Sequence, residues 1–80
     1  MGEKGLIFSY DREGDVLDIS IGDPREAISN EIEDDVFVRI DPVSREVIGF
    51  SILNFQKKIN TESLIGLPIE AKFDLLPKSV

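Results

Sequence analysis

Apolar and polar residues alternate in two neighbouring stretches near the middle of the chain, residues 36–40 and 47–53. This period of two predicts β-strands, because successive side chains of a strand point to opposite faces of a sheet. Between the stretches, Asp41, Pro42 and Ser44 are residue types that favour a turn. We therefore predict an antiparallel hairpin with one apolar face. A hairpin alone is marginally stable in water, so other elements must cover this face.

Three further stretches show the same alternation, the third of them more weakly, and turn signals separate them. The stretches cover residues 6–10, 16–21 and 27–32, and the turns that follow them cover residues 11–15, 22–24 and 33–35. Five strands spaced about 8 to 12 residues apart, each bounded by a turn signal, predict an antiparallel β-meander. The first two strands are expected to pair as a hairpin.

The pattern changes after the fifth strand. Asn54 is a residue type that caps helices, and Phe55 and Ile59 would share one side of the helix that follows it. We predict one short helix near residues 54–60. Residues 67–75 are compatible with two structures. Strict alternation of apolar residues favours a strand, whereas a proline at a first helical position followed by helix formers favours a helix.

We favour the strand for residues 67–75, placed at an edge because its proline cannot donate a backbone hydrogen bond. A terminal edge strand could also pair with a second copy of the chain. The predicted fold is therefore α+β and mostly β. It is an antiparallel β-meander of five to six strands with one short helix near residues 54–60, in a single domain that spans residues 1–80.

Length and composition narrow the ways in which this domain can be stabilised. The chain has 80 residues and contains neither cysteine nor histidine, so disulfides and the usual zinc ligands are excluded. A chain this short buries only about 60 to 65% of its unfolded surface, which favours self-association, and we expect a homodimer. No apolar run approaches the roughly 20 residues of a membrane span, and the N-terminus lacks the pattern of a signal peptide, so we expect a cytoplasmic protein.

The net charge of −7 is unevenly distributed. Residues 1–46 hold 13 acidic and 5 basic side chains, whereas residues 47–80 hold 3 acidic and 4 basic ones. Direct binding to nucleic acid or to an anionic membrane needs a basic face, so neither is expected. The acidic surface either keeps a small domain soluble or docks a basic partner protein. The candidate residues for such an interaction surface are the turn acids Asp11, Glu13, Asp15, Glu33, Asp34 and Asp35.

The spacing of Asp11, Glu13 and Asp15 is similar to the opening of a calcium-binding loop. That loop needs glycine at its sixth place and glutamate at its twelfth, where this chain has Val16 and Gly22. The match fails, and we predict no metal site and no cofactor. A small-molecule or divalent-cation site at the turn carboxylates remains an alternative function.

A carboxylate-based hydrolase is a further alternative. It needs at least one acid that is desolvated in a cleft. Asp18 is the acid of most interest because it lies in the middle of a strand, but alternation places it on the polar face. No serine has a histidine as its base, so we predict no catalytic residue.

Two motifs resemble a known family. Residues 10–19 read Tyr-Asp-x-Glu-x-Asp-Val-Leu-x-Ile and residues 47–54 read Val-Ile-Gly-Phe-x-Ile-Leu-Asn, with Asp35 and Asp41 between them. Together they resemble the domain-of-unknown-function family 2283 (DUF2283) over about residues 8–58. The chain departs from the family pattern at Asp18, where an aromatic residue is usual, and at Ser51, where a glutamate is usual.

The resemblance implies a small sheet-rich fold without an established activity, and it implies that some members are partners of small toxin-like proteins. The function that we expect is therefore a non-enzymatic protein–protein interaction module that self-associates. An antitoxin-like role with a basic partner protein is the more specific form of this expectation.

Overall fold

The computed structural model describes residues 5–77. Five strands and one helix follow one another along this part of the chain. They are β1 (Leu6–Asp11), β2 (Val16–Ile21), β3 (Ile28–Glu33), β4 (Val36–Ile40), β5 (Val47–Leu53) and α1 (Phe55–Glu62). The strands form one antiparallel sheet in the order β1-β2-β5-β4-β3. This confirms the predicted class, which is mostly β with one short helix.

Three pairs of consecutive strands form hairpins, and the central hairpin of β4 and β5 is among them. Its turn is held as predicted by Asp41, whose Oδ1 accepts hydrogen bonds from the backbone N–H groups of Val43 (2.7 Å) and Ser44 (2.9 Å). These bonds, together with the nearby Arg25, lower the pKa of the Asp41 carboxyl. The turn chemistry of this segment was therefore predictable from local sequence.

The strand order differs from a meander at one place. A meander would put β2 beside β3, but β2 pairs with β5, and residues 22–27 cross the end of the sheet to reach β3. The physical reason is that β5 carries apolar residues that both neighbours can match, while β3 has Ser29, Asn30 and Glu31 at its centre. The most polar strand therefore lies at an edge, where burial is least.

The apolar face of the sheet is continuous across three central strands. The register aligns Leu17 with Ile52 and Ile52 with Val36, and the next row aligns Ile19, Phe50 and Val38. The most buried side chains, Val36, Ile52, Ile48 and Val38, all lie on this face. We call the opposite side the polar face. One of its rows is Ser9, Asp18, Ser51 and Phe37, and the next is Ile7, Ser20, Gly49 and Arg39.

Residues 63–77 are irregular, so the strand predicted for residues 67–75 is wrong. The apolar alternation matches burial only in part. Leu67 and Ile69 are half-buried, whereas Ala71, Phe73 and Leu75 are exposed. Alternation indicates a strand only where a neighbouring backbone is available for pairing.

Within residues 5–77, no helix is both long enough and apolar enough to cross a membrane. The cytoplasmic location stays a prediction.

Candidate functional site

The structure brings the two predicted acidic turns to the same end of the sheet. Val16, which follows the first turn, pairs with Leu53 at the end of β5, and Val36, which follows the second turn, pairs with Ile52. Both turns also bond to the β5–α1 junction. The Phe55 N–H donates to the Asp15 carbonyl oxygen (3.1 Å), and the Leu53 N–H donates to that of Asp35 (2.8 Å). We call this surface the acidic end; it consists of Asp11, Glu13, Asp15, Glu33, Asp34 and Asp35.

Asp15 has a structural role within the acidic end. Its Oδ1 accepts hydrogen bonds from the Gln56 backbone N–H (2.9 Å) and from the Tyr10 hydroxyl (2.7 Å). The first of these bonds satisfies a free N–H group in the first turn of α1. The bond from Gln56, followed by the bond from Tyr10, lowers the pKa of the Asp15 carboxyl. The hydrogen bond that the Tyr10 hydroxyl donates to the Asp15 carboxylate is also the main cause of the raised pKa of Tyr10.

Asn54 does not cap α1 with its side chain, which corrects the prediction. It occupies the position before the helix with φ 53° and ψ 41°, and its side chain makes no capping hydrogen bond. A capping residue normally has an extended conformation that aims its side chain back at the helix, whereas Asn54 is left-handed. Asp15 instead supplies an acceptor for the backbone N–H of Gln56, which lies 41 positions later in the chain. No pattern in the residues around Asn54 could reveal this.

Asp35 is half-buried, and its carbonyl oxygen accepts a hydrogen bond from the Leu53 N–H. The other acids of the acidic end are of two kinds. Asp11 is engaged locally, since its Oδ1 accepts a hydrogen bond from the Glu13 backbone N–H (3.1 Å). Glu13, Glu33 and Asp34 are exposed, and their carboxylates form no hydrogen bond or ion pair with another residue of the range 5–77. These three carboxylates carry the free negative charge of the surface.

Residues 5–77 contain no group of three acidic side chains placed to hold a metal ion. The cation-site alternative around Asp11 and Asp15 therefore has no three-carboxylate ligand set in this part of the chain. Asp15 is committed to the start of α1, and Asp11 to its own turn.

The polar face carries a groove of about 420 Å³ that the sequence did not predict. Its lining residues are Ile7, Ser9, Asp18, Ser20, Pro24 and Arg39. Asp18 lies on the polar face as predicted; it is half-buried and accepts a hydrogen bond from the Ser51 hydroxyl. The lining residues lie on β1, β2, the β2–β3 connection and β4, and the strand order that places these elements on one face could not be read from the alternation.

The edge strand β1 exposes apolar side chains on both of its faces. Phe8 is 62% exposed, and Leu6, Ile7 and Tyr10 are between 38% and 45% exposed. The outer side of β1 pairs with no other strand of the described chain. The sequence predicted an apolar edge in the C-terminal segment; the structure shows that β1 provides one.

Comparison with known proteins gives a family. The model of the protein family of unknown function DUF2283 matches residues 7–56. The chain belongs to this family. The DUF2283 match covers nearly all of the sheet and ends at the second residue of α1, so residues 57–77 and their half-buried apolar side chains lie outside it. No curated protein and no solved structure matches the chain.

Proposed function

We propose that this DUF2283 protein is a non-enzymatic interaction module that self-associates through the outer edge of β1. The observation that supports this proposal is the exposure of four large apolar side chains, Leu6, Ile7, Phe8 and Tyr10, on one edge strand. An edge strand also presents free backbone N–H and C=O groups, which a second strand can satisfy.

β1 lacks the features by which proteins protect an edge. It contains no lysine and no proline, and its ladder with β2 runs without a bulge from Leu6 to Asp11. The apolar surface continues beyond the strand, because Leu76 reaches the start of β1, where its Cδ1 would lie 3.3 Å from a Cβ placed on Gly5. An apolar edge without lysine, proline or a bulge favours strand addition.

A two-fold axis perpendicular to the sheet gives the simplest dimer. Such an axis pairs the two β1 strands antiparallel and keeps the apolar faces of both copies on the same side. Placing Phe8 opposite Phe8 of the second copy sets Leu6 opposite the second copy's Tyr10. Every apolar residue of this face of β1 then has an apolar partner, and two five-stranded sheets join into one.

The test compares two edges that differ in chemistry. Light scattering coupled to size-exclusion chromatography should give the wild-type protein a mass near twice the 9.0 kDa of one chain. Phe8→Glu should be monomeric, because it places two carboxylates opposite each other at the axis. Ile28→Glu is the matched control: Ile28 is 43% exposed on the same face but lies on β3, and this variant should remain dimeric.

A wild-type protein that is monomeric throughout the concentration range would overturn the proposal. A dimer that Ile28→Glu disrupts and Phe8→Glu does not would also overturn it, because the interface would then lie at the other edge.

The acidic end supports a second contact within the same function, with a basic partner protein. Glu13, Glu33 and Asp34 project from two turns that the fold places at one end of the sheet, and their charges are free of ion pairs within residues 5–77. Complementary charge steers association and selects partners. A small basic protein of the toxin-like kind implied by the resemblance has the required complementarity.

A lysine-rich peptide is a suitable probe for this second contact. Its titration into labelled protein should shift the amide signals of the two acidic turns, and the affinity should fall as salt screens the charges. The double variant Glu33→Gln and Asp34→Asn should bind the peptide more weakly. Removing the same number of charges from the tail with Glu70→Gln and Asp74→Asn should leave binding unchanged. Equal losses for both double variants would indicate net charge alone and would contradict a localised surface.

A further inference from the structure

We propose that residues 71–76 are a strap that closes over the outer edge of β1 and excludes a second copy; this regulation rests on the proposed function. In the structure these residues are irregular and form no part of the sheet, so the strap is open. When it closes, the strap adds to β1 as a short antiparallel strand. The edge has room for one added strand, so closure and pairing with a second copy exclude each other.

The end of the strap lies at the start of β1. Leu76 Cδ1 would lie 3.3 Å from a Cβ placed on Gly5, the residue that precedes this strand. The segment that leads to the strap begins at the other end of β1, since α1 starts beside Asp15 in the turn that follows the strand. Residues 55–76 therefore run from the end of β1 back to its start, which is the direction of an antiparallel neighbour.

The position of Leu76 beside Gly5 sets the register of the closed strap. With these two residues opposite each other, every apolar-face residue of β1 faces an apolar residue of the strap. A shift by one residue would instead place Lys72 and Asp74 on the apolar face. The pairs in the proposed register are Leu6 with Leu75, Phe8 with Phe73, and Tyr10 with Ala71.

The side chains that meet in this register are exposed in the open state. Phe8 is 62% exposed, Phe73 is 75% exposed and Leu75 is 98% exposed. Closure therefore removes apolar surface of both segments from water, which is favourable. The backbone of the strap also satisfies the free N–H and C=O groups on the outer side of β1.

The strap has the composition of a protected edge strand. Residues 71–76 contain neither proline nor glycine, so each can pair, and Pro77 follows them directly. Lys72 and Pro77 are residue types that protect an edge from further pairing. At the other end Glu70 would face Asp11, and like charges in opposition end the pairing there. A closed strap thus turns the open edge of the sheet into a protected one.

Closure sets the concentration at which the protein dimerises. The strap is joined to the sheet and competes at a fixed effective concentration, whereas a second copy competes in proportion to its own concentration. Both copies must be open in order to pair. A strap that is closed in half of the free molecules therefore raises the apparent dissociation constant of the dimer about fourfold.

Introduced cysteines report closure directly, because the chain contains no cysteine of its own. In the double variant Phe8→Cys and Phe73→Cys the two thiols face each other when the strap is closed. Oxidation of dilute protein with glutathione should join them in an intramolecular disulfide, identified by mass spectrometry. Phe8→Cys with Lys72→Cys is the matched control; position 72 is adjacent but points to the other face, so this variant should remain reduced over the same period.

Dimer affinity reports the consequence of closure. Phe73→Glu should open the strap and lower the dissociation constant of the dimer by about fourfold or more, measured by analytical ultracentrifugation. Leu64→Glu is the control: Leu64 is 81% exposed and lies before the strap, so this variant should keep the wild-type affinity. An unchanged or higher dissociation constant for Phe73→Glu would overturn the proposed regulation.

The single variant Phe8→Cys separates failure of the strap from failure of the proposed dimer. The two-fold axis places position 8 opposite itself, so oxidation of concentrated protein should give an intermolecular disulfide. Its absence would contradict the dimer. Absence of the intramolecular disulfide in the Phe8→Cys and Phe73→Cys variant, or its formation at the same rate in the Lys72→Cys control, would overturn the strap.

Discussion

The two edges of this sheet differ in chemistry although they occupy equivalent positions. The outer edge at β3 has polar residues along its centre, Ser29 to Glu31, and its ladder with β4 is interrupted by a bulge between Glu31 and Glu33. The outer edge at β1 exposes apolar residues along most of its length and pairs with β2 in unbroken register. Both strands are exposed throughout.

This difference shows how a small sheet can have one protected edge and one open edge. The charges of Glu31 and Glu33 and the bulge between them disfavour pairing with a further strand, so β3 is the protected edge. β1 has neither feature. In an 80-residue protein whose core contains few fully buried side chains, the proposed dimer would bury additional apolar surface at this open edge.

β5 is the central strand that joins the two halves of the sheet. Of the substitutions proposed, we expect one at Gly49, within β5, to change the free energy of unfolding most. A Cβ at this position would lie 2.6 Å from the Ile19 carbonyl oxygen, so β2 and β5 must separate. We expect Gly49→Ala to reduce the free energy of unfolding by about 1 to 3 kcal/mol, measured by urea denaturation.

Gly66→Ala is the matched control, because a Cβ on Gly66 meets no atom within 4 Å. It should change the free energy of unfolding by no more than about 0.5 kcal/mol. Equal losses in the two variants would mean that the close approach of β2 and β5 has no energetic consequence.

Hydrogen exchange should distinguish the two edges directly. In a dimer built on β1, the outward amides of residues 6–11 become hydrogen-bonded, while those of residues 28–33 remain open to solvent. We expect exchange in the β1 segment to slow by at least about tenfold as protein concentration rises above the dissociation constant. The β3 segment should show no concentration dependence. Concentration-dependent protection of both segments would remove the distinction between the edges.

The turns of the two edge hairpins should also differ in their contribution to stability. Asp15 and Asp35 both have positive φ, 56° and 68°, so alanine brings a similar backbone penalty at each. Only Asp15 also holds the start of α1 with its carboxylate, through Gln56. We expect Asp15→Ala to lower Tm by about 4 to 8 °C more than Asp35→Ala does, by thermal unfolding at neutral pH. Equal decreases would show that the capping bond contributes nothing.

The smallest effect concerns pH. Hydrogen bonds lower the pKa of Asp15 in the folded protein below the value of about 3.9 for an unfolded chain. The stabilisation by its carboxylate is therefore fully present above about pH 4 and is lost as the pH falls through the folded pKa. Asp15→Asn can accept the same bonds but does not titrate. The Tm advantage of wild type over Asp15→Asn should shrink on acidification, and an advantage independent of pH would contradict this.

Sequence reasoning succeeded where the interacting residues are close along the chain. The period of two in residues 16–21 and 47–53, and the turn chemistry of Asp41, predicted strands and hairpins that the structure confirms. It failed at Asn54, where a local capping rule was applied although Asp15, 41 positions before Gln56, supplies the acceptor. It also failed at residues 67–75, which are irregular although apolar residues alternate there, and where Ala71, Phe73 and Leu75 are exposed.

The residues of the acidic end were predictable from local sequence, but their arrangement in space was not. The acids of the two turns were identifiable because turns favour Asp and Gly, but their meeting at one end of the sheet depends on β5 pairing with both β2 and β4. The groove between Asp18 and Arg39 depends on that pairing as well. Neither arrangement has a signal within any single stretch of sequence.

By itself, the sequence determined the five strands within residues 6–53, the β1–β2 and β4–β5 hairpins, the short helix and the excess of negative charge in its first half. These properties follow from side-chain periodicity and turn chemistry, which act over a few residues. The tertiary structure decided that β5 lies between β2 and β4, that Asp15 holds α1, and that β1 is the open edge. These outcomes depend on matching apolar faces between segments far apart along the chain, and that matching is settled only when the whole sheet assembles.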